Sequence, residues 1–132
     1  MIKHEKQTSS LKGKKILLVD DEKDILDCLT DIFEPLGCIL YTAHHGKRAL
    51  EIIKSNHIDL IISDVKMPII NGLSVLRSLD TLTNAPPLIL ITGVANISMG
   101  DAYRAEMIFS KPFDEEKLIG AAKAALERKK KV

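Results

Sequence analysis

Asp20 and Asp21 follow the apolar run 16–19, and Asp64 follows a second run, 60–62, by way of Ser63. Thr92 follows a third run, 88–91, and Lys111 a fourth, 107–109, by way of Ser110. Short apolar runs separated by helix-length segments read as buried strands of a parallel sheet. Strands of such a sheet end on one common edge, which is where open α/β folds bind ligands. Three carboxylates, a hydroxyl and an ammonium would then converge on one crevice. Neighbouring carboxylates repel unless a cation sits among them, which points to a divalent metal. A lysine and a hydroxyl beside that metal are groups suited to holding phosphate oxygens.

The elements that must position these residues can be read along the chain. Residues 1–13 are polar and without periodicity, and are expected to be a flexible tail, with the folded domain at 14–132. The first strand is expected at about 15–20. Ile25, Leu26, Leu29, Ile32, Phe33 and Leu36 then form one apolar helical stripe, with Pro35 near its end and Gly37 as its stop. A second strand at 38–43 leads to a helix from Gly46 to about Asn56, with Ala49, Leu50 and Ile53 inward. The third strand is 58–64. Leu73, Leu76 and Leu79 begin a third helix, and Pro86-Pro87 precedes the fourth strand. Residues 95–104 carry the weakest helical signal. A fifth strand at about 106–110 precedes a last helix that Asp114 can cap, with Leu118, Ile119, Ala122, Ala125 and Leu126 on one face. Five β–α units imply a doubly wound parallel sheet between two helical layers.

In order and spacing, Val19-Asp20-Asp21-Glu22, Asp64-Val65-Lys66-Met67-Pro68 with Gly72, Thr92-Gly93 and Lys111-Pro112-Phe113 resemble the receiver domain of two-component response regulators. The resemblance covers about residues 14–128. It implies a flavodoxin-like (βα)5 three-layer sandwich with strand order 2-1-3-4-5, whose switch point lies between the first and third strands. It also implies a phosphoacceptor signalling domain that assists its own chemistry without being a turnover enzyme.

By the same resemblance Asp64 is the phosphorylation site, fed by a histidine kinase or a histidine phosphotransfer protein. Mg2+ would be held by Asp21 and Asp64 directly, by the backbone carbonyl of Lys66, and by Asp20 largely through water. Lys111 and Thr92 would take phosphoryl oxygens. Glu22 would either touch the outer shell of the metal or serve as a first-turn glutamate facing the helix dipole. Haloacid-dehalogenase-type phosphatases use similar parts, but need an aspartate two positions after the first one, where this chain has Glu22. A domain that only docks partners is the third reading.

Composition agrees with a cytoplasmic domain. The chain has 132 residues, 45% hydrophobic and 28% charged, with a formal net charge of +1. It carries no run of about 20 apolar residues to span a membrane and no apolar core of a secretory signal at its start. The basic run Arg128-Lys129-Lys130-Lys131 suits a helix C-terminus, so neither nucleic acid nor membrane is expected as a partner. A downstream protein target is implied, and weak homodimerisation is left open. Cys28 and Cys38 are expected to be small buried thiols, and His44-His45 exposed loop residues.

Two positions depart from the family pattern. Lys66 lies where it would crowd attacking water, so a slow loss of phosphate from Asp64 is expected. Ile108 stands where the family usually has an aromatic ring, so the switch is expected to order residues 93–104 around Thr92 instead of rotating a ring.

Overall fold

The computed structural model describes residues 11–64, 86–92, 105–110 and 113–131, with backbone alone at Asp64, Thr92, 105–108, Ser110 and 128–131. Its described elements are β1 (Lys15–Val19), α1 (Lys23–Phe33), a 3-10 turn (Glu34–Leu36), β2 (Ile39–Ala43), α2 (Gly46–Ser55), β3 (Leu60–Asp64), β4 (Leu88–Thr92), β5 (Ala105–Ser110) and α3 (Glu115–Lys131). All strand pairs are parallel, in the order β2-β1-β3-β4-β5. This is the doubly wound order expected from the sequence.

The order dictates the layers. From β1 the chain crosses to β2 on one side, and from β2 it returns past β1 to β3. Right-handed crossovers in opposite directions place their helices on opposite faces. Alternation along each strand then divides the core. Ile16 and Leu18 of β1, Leu60 and Ile62 of β3, and Ile89 and Ile91 of β4 share one cluster with Leu26, Leu29 and Phe33 of α1 and Leu118, Ala122 and Ala125 of α3. Leu17, Val19, Ile61 and Leu90 are equally buried and point to the other face. Burial on both faces explains why β1, β3 and β4 read as unbroken apolar runs.

Local chemistry sets most boundaries near their expected places. Pro35 is accommodated in the first turn of the 3-10 segment, and Gly37 ends it in the left-handed conformation with φ 87°. Asp114 Oδ1 accepts the Lys117 backbone N–H at 3.0 Å and so caps α3. His45 does the same for α2, its Nδ1 accepting the Arg48 N–H at 3.1 Å.

Four expectations need correction or narrowing. Leu11 has no exposed surface and belongs to the core cluster, so the folded body extends ahead of residue 14 and the proposed tail shrinks to residues that lie outside the description. In α2 the buried stripe is Gly46, Ala49 and Ile52, while Leu50 and Ile53 are half-buried. Cys28 is exposed, because it lies off the stripe set by Leu26, Leu29 and Phe33. Cys38 is half-buried, and burial pushes its thiol up to about 11, which keeps it protonated and unreactive. The expected third helix and residues 93–104 lie outside the described residues.

Candidate functional site

β1 and β3 are adjacent, with Val19 in register with Ser63. One step further, Asp20 and Asp64 leave the sheet at the same level, on strands spaced by about 4.8 Å. β4 follows on the other side of β3, where Asp64 is in register with Ile91, and Thr92 is the next residue. Thr92 is in turn in register with Ser110 of β5, the residue before Lys111. The backbone thus brings the expected carboxylate, hydroxyl and lysine positions to the carboxyl edge of β1, β3, β4 and β5. Lys111 and Lys66 themselves lie outside the described residues. Ile108 is in register with Leu90.

Asp20 is the anchor of this edge. It is buried, with 1% of its surface exposed, and its N–H donates to the Ala43 carbonyl at 3.1 Å. Its Oδ1 accepts the Glu22 N–H at 2.9 Å. Glu22 is the N-cap residue of α1, and its carbonyl accepts the Ile25 and Leu26 N–H groups at 3.1 and 3.2 Å. One carboxylate therefore ends β1 and starts α1 within three residues. Burying a charged oxygen is costly unless it is hydrogen-bonded, and this bond supplies part of the compensation.

Asp21 and Glu22 are exposed, and the carboxylates of Asp20, Asp21 and Glu22 lie with ligand oxygens all within 4.8 Å of one another. Oxygen-only donors at this spacing suit a hard divalent cation such as Mg2+, which keeps several waters and asks for few protein ligands. Glu22, read from the sequence as either an outer-shell group or a helix-start residue, has both positions: it caps α1 and belongs to the acidic cluster.

A polar group that the sequence reading missed lies at the opposite edge of the sheet. Asp59, just before β3, accepts the Lys15 N–H on Oδ2 at 2.8 Å and donates its own N–H to the Lys15 carbonyl at 2.7 Å. His57 Nε2 lies 2.8 Å from Asp59 Oδ1. Burial pushes the Asp59 carboxyl up, but the Lys15 N–H, the His57 ring and the Lys14 charge together outweigh it, and the net shift is downward. Its signal in the sequence was slight: one aspartate directly ahead of an apolar run.

Comparison with known proteins agrees with this geometry. The response regulator receiver domain model matches residues 16–123. The transcriptional regulatory protein CpxR of Escherichia coli K12 is 33% identical over 121 residues, covering 86% of this chain and 50% of that protein. The response regulator protein TodT of Pseudomonas putida F1 is 33% identical over 119 residues, covering 88% of this chain and 52% of that protein. The chain thus spans about half the length of the curated relatives it matches. Among solved structures, a signal receiver domain of an HD domain-containing protein from Pseudomonas fluorescens Pf-5 superposes with a TM-score of 0.86 at 29% identity, covering 92% of this chain and all of that one. The response regulator TrrA of Thermotoga maritima, solved in complex with Mg2+ and BeF, superposes with a TM-score of 0.79 at 31% identity, covering 86% and 99%. With the fold, the strand order and the acidic edge all in agreement, the chain belongs to the response regulator receiver domain family of two-component systems, whose shared mechanism is phosphorylation of an aspartate.

Proposed function

We propose that Asp64 is the phosphoacceptor and that the chain works as a Mg2+-dependent phosphorylation switch. The observation that carries this is the register of Val19 with Ser63, which sets Asp64 one step from the buried Asp20 and its acidic neighbours. In the transfer step an Asp64 carboxylate oxygen attacks the phosphorus of a phosphohistidine. The new O–P bond forms as the P–N bond breaks, and the electron pair leaves on the imidazole nitrogen. Bound Mg2+, held by Asp20, Asp21, Asp64 and the Lys66 carbonyl, supplies neutralisation of the charge on the phosphoryl oxygens. Lys111 and Thr92 hold the remaining oxygens, as a cation and as a hydroxyl donor. Positioning and charge neutralisation are the main protein contributions to such a transfer, and no further cofactor is required.

The donor is a histidine kinase or histidine phosphotransfer protein, and the output is a protein partner. CpxR is named as a transcriptional regulator, but the match covers half of it, so the expectation of no nucleic-acid contact concerns these residues alone. No described helix is long and apolar enough to cross a membrane. Both cysteines are free, which accords with a reducing, cytoplasmic setting.

Incubation with phosphoramidate or acetyl phosphate in Mg2+ tests the reading. Intact mass should rise by one phosphoryl group, and hydroxylamine should remove it as expected for an acyl phosphate. Chelation and Asp64→Asn should each abolish the gain. Undiminished uptake by Asp64→Asn would move the acceptor elsewhere. No uptake from several small donors and kinases would favour the docking-only reading.

A further inference from the structure

At the amino edge of the sheet, residues 11–14 fold back over the chain. Leu11 is fully buried in the cluster that contains Phe33 of α1 and Leu126 of α3. The Lys14 N–H donates to the Leu11 carbonyl at 3.0 Å, which closes the turn. Two bonds then tie the segment to the connection between α1 and β2. The Gly13 N–H donates to the Gly37 carbonyl at 2.8 Å, and the Ile39 N–H donates to the Lys14 carbonyl at 2.8 Å. Both glycines have left-handed backbones, with φ 77° at Gly13 and 87° at Gly37. A Cβ on Gly37 would lie 3.1 Å from Lys12 Cγ and 3.4 Å from Lys12 Cα, so Lys12 rests directly on that glycine.

We propose that residues 11–14 are a strap closed over the amino edge, which holds the connection 34–39 and makes the chain ahead of β1 a control point for it. The strap lies outside the family match, which begins at residue 16. Apart from the strap, the printed backbone bonds of the 3-10 turn are local, such as Gly37 N–H to Glu34 O at 3.1 Å. Releasing residues 11–14 removes one fully buried leucine and both cross-ties together. Segments 11–14 and 34–39 therefore open as one cooperative unit, at a lower free energy than the sheet. A binding event or pull on the chain ahead of Leu11 is then felt at the end of α1 remote from the acidic cluster.

Hydrogen exchange on three full-length or shortened chains tests this. Removal of residues 1–10 should leave both the midpoint of thermal unfolding and the exchange of 34–39 unchanged. Removal of residues 1–13 should lower the midpoint by roughly 5 °C or more and speed exchange at 34–39 at least about tenfold, with β3 and β4 far less affected. Leu11→Ala in the full chain should reproduce that selective pattern, and it carries the test if the shorter chain does not fold. Equal behaviour of the two shortened chains would overturn the strap. So would a uniform rise in exchange across the sheet in Leu11→Ala, because that is the signature of an ordinary core residue.

Discussion

Val19 and Ser63 stand side by side on adjacent parallel strands, and the residue after each is an aspartate, Asp20 and Asp64. Parallel pairing turns a separation of many residues into adjacency on one edge. The acidic residues at that edge are brought together by the pairing of buried strands, whose apolar burial outweighs the charge repulsion.

That repulsion can be measured. Asp21→Asn removes one carboxylate from the exposed part of the cluster without touching the buried anchor. Its midpoint of thermal unfolding without metal should equal or exceed that of the parent. Its Mg2+ affinity by calorimetry should fall roughly tenfold or more. Unchanged affinity would take Asp21 out of the ligand set.

Asp20 has a second duty that two substitutions separate. Asp20→Ala removes the acceptor of the Glu22 N–H and should cost about 1–2 kcal/mol in urea unfolding without metal. Asp20→Asn keeps an Oδ1 acceptor and should recover most of that loss, while both variants bind Mg2+ weakly. Equal stability of the two variants would show that the Asp20–Glu22 bond contributes nothing.

The depressed carboxyl of Asp59 gives a pH signature. A group whose folded value lies below its unfolded one stabilises the fold above the unfolded value, about 3.9. That contribution is lost as pH falls through the lower, folded value. Stability of the parent should therefore drop below about pH 4 more steeply than that of Asp59→Asn. Parallel pH profiles for the two proteins would remove Asp59 from the acid-sensitive set.

Two glycines should respond oppositely to alanine. Gly120 lies inside α3 with nothing within 4 Å of a built Cβ, so Gly120→Ala should stabilise by about 0.5–1 kcal/mol. Gly37 has φ 87° and Lys12 Cγ at 3.1 Å from the same point, so Gly37→Ala should destabilise by about 1 kcal/mol or more. Thermal and urea unfolding of the pair provide the check.

The strands and the site edge were legible because each strand is apolar along its whole length and ends on a chemically distinct residue. The order of the strands was not legible from periodicity, which gives every strand the same signature; resemblance supplied it. The orientation of α2 was misread by one position, because Leu50, Ile52 and Ile53 offer several apolar stripes and tertiary packing chooses among them. Leu11 was passed over as a lone apolar residue in a polar stretch. Its burial depends on the Gly13–Gly37 contact, which no local pattern announces. Asp59 was missed for the same reason, since its partner Lys15 is distant in the chain.

That last distance has a consequence for biosynthesis. The Asp59 carboxylate and the Lys15 amide are 44 residues apart, so their bond cannot form until two complete β–α units have been made and have collapsed. The acidic edge depends on the same β1–β3 pairing. During vectorial synthesis the emerging chain therefore lacks the aspartate pair until β3 has left the ribosome. Helices α1 and α2 can form before then, but their late-arriving sheet partner decides when a nascent chain first becomes able to take up phosphate.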